Sequence, residues 1–387
     1  MDMRLVWLAL GAFAGSVESS LIVAVLPAIS SETGVTIGQA GWLVTLYALF
    51  YGLGTPLIST ALGRVDRRTV VATAEFVFGC ASLALGLLPE FIMLAIARSV
   101  LSMGAGTFTS TAQSTAVALS DASRRGRAVA IVVMGGSLGV AIGSPIAVWA
   151  SQSFGWRPAY LAIGGLAIVA ALTMWRMLPG DIAGDRRTLR ERISVIHVPG
   201  MKWALATSGV MYAASSMLLT YTAPVTTELM GLASSWLPMV FLAFGVGAVA
   251  GTGIGGWLTD RYGGRQTVVV MIGLLVVQFA ALPLIAMLPE VLVLPLYLLD
   301  TFAFGICCWG LAPPQISRLA VLAPASVQLA AALNLTSMNL GVAAAALGGG
   351  WVLQHHGVVA LCLVAALVAV AAVAVAWMVP DRKPRPA

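Results

Sequence analysis

Long apolar blocks separated by short polar loops run through the whole chain. Twelve can be drawn, at approximately 5–28, 38–60, 69–88, 91–119, 128–150, 158–178, 203–226, 236–258, 267–288, 291–315, 326–351 and 358–379. Each is near the ~20 residues that a helix needs to cross a bilayer. None shows the short alternating pattern of barrel strands. The pattern predicts an all-α membrane protein of twelve transmembrane helices. The first block is long enough to span and no small-residue cleavage site follows it, so no cleavable leader is expected. The one long polar stretch, Pro179 to Lys202, divides the blocks six and six. The expected domains are 1–178, a linker at 179–202, and 203–387.

Composition agrees with this pattern. Hydrophobic residues make up 59% of the chain and charged residues 9%, against about 25% charged in soluble domains. The net charge of +6 would suggest a nucleic-acid partner in a soluble protein, but here it reports topology. With the N-terminus inside, Arg4, Arg64, Arg67, Arg68, Arg124, Arg125, Arg127, Arg176, Arg186, Arg187, Arg190, Arg192, Lys202, Arg261, Arg265, Arg318, Arg382, Lys383 and Arg385 all fall on the inner side. Arg157 falls outside and Arg98 within a span, so the bias predicts both termini in the cytoplasm. The outer loops carry Glu32, Glu90, Glu228 and Glu290.

The two halves repeat. Leu138-Gly139-Val140-Ala141 recurs as Leu340-Gly341-Val342-Ala343, and Leu88-Pro89-Glu90 as Leu288-Pro289-Glu290. Trp149 and Gly155 recur as Trp351 and Gly357, and Pro27 corresponds to Pro224. Six spans per copy give both copies the same orientation, the parallel arrangement of transporters whose halves rock against each other.

Against this apolar background Glu18 stands out, near the centre of the first span. An ionised acid at mid-bilayer is costly and is retained only if it faces protein or water, finds a partner or takes up a proton. Burial disfavours its charged form and a neighbouring arginine favours it, so together they can poise a proton-exchanging group. The alternative is a permanently neutral acid bonded to Ser19 or Ser20. Arg98, about eight residues into span four, either neighbours that acid or snorkels outward. Asp300 lies ten residues beyond Glu290, about 15 Å along span ten at helical rise, near the midplane. Glu75, close to the inner edge of span three, reads as structural and within reach of a loop arginine.

The loop after span eight reads Gly256-Trp257-Leu258-Thr259-Asp260-Arg261-Tyr262-Gly263-Gly264-Arg265. It resembles the signature loop of the major facilitator superfamily. The first-half copy, Leu62-Gly63-Arg64-Val65-Asp66-Arg67-Arg68, has Gly63 where the family usually has Asp, and Asp66 out of register. The stripe Gly135, Gly139, Gly143 followed by Ser144-Pro145 resembles the antiporter motif of drug-efflux members, without its closing glycine pair. Read from the residues alone, the stripe is equally a packing surface. Arg98 with Gly104 resembles the fourth-span motif, and Glu18 with Leu26-Pro27 resembles proton-coupled drug and sugar exporters.

The resemblance implies two six-helix bundles around a central cavity and membership of the twelve-span drug:proton antiporter group. It also implies export of a small, partly apolar compound in exchange for protons, in a bacterial inner membrane. Glu18, Arg98 and Asp300 are the candidates for proton coupling. Gly139, Gly143, Pro145, Gly256, Asp260, Arg261 and Arg265 are the candidates for gating. Tyr47, Tyr51, Tyr212, Tyr221, Trp309, Asn334 and Asn339 are polar or aromatic at mid-span depth and are the candidates for lining a substrate site; each could equally be a packing residue. Trp42 and Trp236 lie where interfacial aromatic belts form.

A nutrient-importing symporter or facilitator is the alternative on the same scaffold. A membrane-embedded enzyme or sensor would need a catalytic constellation. His197, His355 and His356 lie outside the spans, and no glycine loop with Lys-Ser or Lys-Thr is present. Cys80, Cys307, Cys308 and Cys362 lie in apolar segments, so neither disulfides nor a metal site is expected. The expected protein is not an enzyme, needs no cofactor, and is a monomer in the bilayer.

Overall fold

The computed structural model describes residues 3–121, 125–180, 182, 191 and 194–379. Arg124, Arg186, Arg187, Arg190, Arg192, Arg382, Lys383 and Arg385 lie outside the described residues. Contacts divide the chain into two units: Met1–Thr36 with Trp42–Thr188, and Ile37–Gly41 with Leu189–Ala387. Five residues at the start of the second span therefore group with the second unit.

The described residues are almost wholly helical and contain no strand. The first unit holds α1 (Met3–Thr33), α2 (Ile37–Ala61, apart from its first residues), α3 (Arg67–Leu87), α4 (Phe91–Ala118), α5 (Arg127–Phe154) and α6 (Trp156–Met177). The second holds α7 (Met201–Thr220), α8 (Ser234–Tyr262), α9 (Gly264–Ile285), α10 (Glu290–Leu322) and the long helix Leu329–Trp377. That last helix is two, α11 (329–356) and α12 (358–377), joined at Gly357, whose φ of 79° breaks the helical path. Among the described residues these make twelve long helices in the expected order. Every backbone polar group inside a bilayer must be satisfied within the protein, which is why long helices are the solution for so apolar a chain. Large side chains such as Ile92, Val277 and Leu367 stay exposed on the outer surface, as suits contact with lipid tails.

In the first unit α1 packs against α5 and α6, and α3 against α4 and α6. Small residues set the close approaches. A Cβ on Gly79 of α3 would come within 3.0 Å of the Gly164 carbonyl on α6, and one on Gly164 within 2.8 Å of the Gly79 carbonyl. In the second unit α7 packs on α11 with Gly209 against Gly341, and α8 packs on α10.

Among the described residues three π-helical turns interrupt the spans, at Phe50–Gly54, Gly139–Gly143 and Val225–Leu229. Each has a proline beside it: Pro56, Pro145 and Pro224. A proline ring cannot donate to the helix and crowds the carbonyl four residues back. For Pro56 and Pro145 that carbonyl, of Gly52 and Ala141, lies inside the widened turn, which relieves the conflict, whereas Pro224 precedes its turn. At Pro145 the backbone N–H of Ser144 reaches the Gly139 carbonyl, and the Ser144 hydroxyl donates to the same oxygen at 3.0 Å.

Asp66, out of register in the degraded loop, caps α3. Its Oδ2 accepts from the Thr69 N–H at 3.1 Å and its Oδ1 from the Ile182 N–H at 2.9 Å. Asp66→Ala is expected to cost about 1 kcal/mol, the usual value of an N-cap, read as a lower thermal midpoint.

Candidate functional site

Glu18 and Arg98 meet inside the first unit. Their side chains form an ion pair, with relative exposures of 0% and 1%. α1 brings Glu18 in on the face that carries Ala14, Val17, Leu21 and Val25, all buried. α4 supplies Arg98 between the buried Leu94, Ala97 and Leu101. The arginine does not run outward to the surface. Tyr47 of α2 completes the group: the Arg98 guanidinium lies over its ring, 4.4 Å from the centroid. The Tyr47 hydroxyl shares a hydrogen bond of 3.3 Å with Ser19, which also donates to the Gly15 carbonyl at 2.9 Å. The Tyr51 ring follows at 5.7 Å from that of Tyr47. Glu18 thus sits next in the chain to the exposed Ser19, which bonds Tyr47.

The glycine stripe of α5 lies directly against α1. A Cβ on Gly135 would run into the Ala9 backbone, and one on Gly143 into Val17, the neighbour of Glu18. On Gly139 it would stand 2.7 Å from the Phe13 carbonyl and 2.8 Å from the Ser16 Cβ. The stripe is therefore a packing surface for the helix that carries the buried acid, and Pro145 ends the widened turn beside it.

At its other end α1 is clamped. Arg157 donates through Nε (2.9 Å) and Nη2 (2.7 Å) to Glu32 Oε1, and through Nη1 to the Leu88 carbonyl at 2.8 Å. Trp156 Nε1 donates to Glu32 Oε2 at 2.8 Å, and Arg157 stacks over the Trp156 ring at 4.5 Å. One arginine so ties the ends of α1, α3 and α6. Because Arg157 also satisfies carbonyls at the end of α3, Arg157→Ala is expected to lower the thermal midpoint more than Glu32→Ala. A hydrogen bond to a charged group is worth about 1.5–3 kcal/mol, reduced here because Glu32 is 45% exposed.

The other candidates are placed as follows. Asp300 is partly buried in the second unit, in electrostatic range of Tyr297, Cys307 and Cys362. Tyr221 is fully buried and donates its hydroxyl to the Ala346 carbonyl at 2.6 Å. Asn334 is buried, accepting from Ser208 at 2.5 Å; Gln315 donates to Ser208 and to the Ala204 carbonyl, both at 2.7 Å. Arg318, read from sequence only as a topology residue, is buried and donates to the Gln315 side chain at 3.3 Å and the Ala376 carbonyl at 3.1 Å. Tyr212, Trp309 and Asn339 are partly exposed. Asp260 and Arg261 are exposed, and Arg261 lies near the rings of Trp257 and Tyr262. Gly256 has open space around it, and Arg265 donates to the Trp377 carbonyl at 3.0 Å. Glu75 is 1% exposed and has no ion-pair partner among the described residues, so no described loop arginine pairs with it; the acid is two turns inside α3. No group of three or more His, Cys, Asp or Glu able to hold a metal occurs among the described residues.

A family model described as Major Facilitator Superfamily matches residues 8–326. The chain belongs to the major facilitator superfamily. It is 25% identical over 382 residues to the uncharacterized MFS-type transporter YbcL of Bacillus subtilis (strain 168), covering 98% of this chain and 96% of that protein. It is 27% identical to the inner membrane transport protein YdhP of Escherichia coli (strain K12), over 90% and 88% of the two chains. It is also 27% identical to a chloramphenicol resistance protein of Streptomyces lividans, over 92% and 90%. Among solved structures, a bacterial homolog of the human lysosomal transporter Spinster, in an inward-facing and unoccupied conformation, shares the fold. Its TM-score is 0.77 at 17% identity, over 98% and 96% of the chains. The protein is a multi-pass membrane transporter and not an enzyme.

Proposed function

We propose that this superfamily member exports a small, partly apolar compound in exchange for protons, with Glu18 as the proton carrier. The observation that carries the reading is the buried Glu18–Arg98 ion pair, one residue from an exposed serine on α1. A buried carboxylate beside an arginine is stable charged; once protonated it releases the arginine, and the two states can be coupled to opposite faces of the membrane. The Streptomyces relative named for chloramphenicol resistance supports export of an apolar compound. The partly exposed Tyr47, Tyr51, Tyr212, Trp309 and Asn339 are the substrate-lining residues in this reading. Asp260, Arg261 and Arg265 form a gating loop, and Asp300 is a second acid of the second bundle. The protein lies in a bacterial inner membrane as a monomer with both termini in the cytoplasm.

Purified protein in weakly buffered detergent tests this with chloramphenicol and a panel of similar apolar compounds. The expected result is a compound that raises the thermal midpoint, binds less tightly at low pH, and releases protons on binding. Proton uptake on binding would contradict exchange and favour symport.

A further inference from the structure

Arg98 has a second polar group in electrostatic range. Tyr160 of α6 is fully buried, and its hydroxyl has no hydrogen-bond partner. It lies in electrostatic range of both Arg98 and Tyr47. Arg98 Nε, equally buried, also lacks a hydrogen-bond partner. Two orphaned groups of complementary type, a cationic donor and a phenol oxygen, therefore share one buried cluster. Leaving either without a bond is costly in a low-dielectric interior. The tyrosine backbone is fixed, since Ser82 of α3 donates to its carbonyl at 3.0 Å. Its ring is braced edge-on against Trp156 at 5.9 Å, the indole that bonds Glu32.

We propose that Tyr160 is a positioning residue for the proton site: its hydroxyl accepts the Arg98 guanidinium when Glu18 is protonated. A guanidinium does not lose its charge in proteins. When a proton from solvent adds to a Glu18 oxygen, the ion pair ends and Arg98 remains a buried cation. Tyr47 keeps the guanidinium over its ring face in both states, and the Tyr160 oxygen supplies an acceptor in place of the carboxylate oxygen that has taken the proton, leaving Glu18 only a neutral carbonyl to offer. The second seat stabilises the neutral-acid state and so strengthens proton binding at Glu18. It assigns a role to a hydroxyl that is idle while Glu18 is charged. Tyr47 and Tyr51 on α2 are the other ionisable groups in this cluster, and α3, packed on α4 through Ala74 and Phe78 at Gly104, carries Glu75. Between Gly135 and Phe154, α5 supplies none.

This inference rests on Glu18 being the proton carrier, and the test separates the two. The Glu18 carboxyl is titrated by infrared difference spectroscopy on purified full-length protein, its band identified as the one lost in Glu18→Gln. In Tyr160→Phe the neutral acid is less stable, so the midpoint is expected to fall by about one pH unit, a tenfold loss of proton affinity. Thermal midpoints of Tyr160→Phe and wild type should agree at high pH, where the hydroxyl is unused, and separate at low pH. A Glu18 band that titrates with an unmoved midpoint in Tyr160→Phe overturns the second seat alone. A Tyr160→Phe protein that fails to fold at high pH also overturns it, because the hydroxyl was then needed in the charged state. If no titrating band is lost in Glu18→Gln, the proton-carrier reading fails with it.

Discussion

Replacing Glu18 with glutamine is expected to reduce pH-driven transport in proteoliposomes to background while the protein still folds. Glutamine keeps the length and shape of the side chain and still offers Arg98 a carbonyl acceptor, but it cannot exchange a proton. The Arg98 charge stays, and Tyr47 at 4.4 Å continues to hold it, so the variant imitates the proton-loaded state. Exchange of labelled substrate across the membrane without a pH gradient should therefore persist. Breaking a buried ion pair by truncating one partner typically costs about 3–5 kcal/mol; glutamine avoids most of that because the site stays filled and bonded. Undiminished pH-driven flux in Glu18→Gln would remove the carboxylate from the mechanism.

The second large effect is expected at the α1–α5 contact. Gly139→Val should lower the thermal midpoint sharply and impair transport together. The first added carbon already stands 2.7 Å from the Phe13 carbonyl and 2.8 Å from the Ser16 Cβ. Backbone cannot give way as a side-chain tip can, so α1 must shift. Overpacking of this kind costs about 1–3 kcal/mol, and valine adds two further methyl groups to the clash. Because α1 carries Glu18, the same shift disturbs the ion pair. Gly165→Ala on α6, where nothing lies within 4 Å, is the matched control and should leave both measurements unchanged. Equal behaviour of the two variants would show that the stripe is not what seats α1.

The fold was largely legible before any coordinates. Apolar blocks of membrane-spanning length are a strong signal, and the recurrence of Leu138-Gly139-Val140-Ala141 at 340–343 fixed the repeat. The structure gives that recurrence a cause: Gly139 seats α5 on α1, and Gly341 seats α11 on α7 at Gly209. The pairing of Glu18 with Arg98 was implied only by the resemblance of Arg98 and Gly104 to the fourth-span motif, with outward snorkelling as the alternative, and the structure shows the ion pair. What escaped were features that leave no mark in hydropathy. Tyr160 reads as one more aromatic in an apolar span; its buried, unpaired hydroxyl in electrostatic range of Arg98 leaves no mark in the sequence. Asp66 looked like a misplaced motif residue and is a helix cap. The network of Arg318, Gln315, Ser208 and Asn334 joins positions over a hundred residues apart in sequence, so spacing along the chain could not disclose it. The π-turns at 50–54 and 139–143 follow from Pro56 and Pro145, but sequence alone does not say how a helix relieves the strain of a proline.

The halves are alike in their packing and differ in charge. By the match of Pro27 to Pro224, the position of Glu18 in the second half is Ser215, which lies beside Cys308 of α10. The central claim of this account is that Glu18, held by Arg98 in the first unit, is the proton carrier, with Asp300 a second acid in the second unit. Proton release on binding of an apolar compound, compared between wild type and Glu18→Gln, tests that claim most directly. Release by the wild type and none by the variant is the expected result. Equal release by both would place the exchanged proton on another residue.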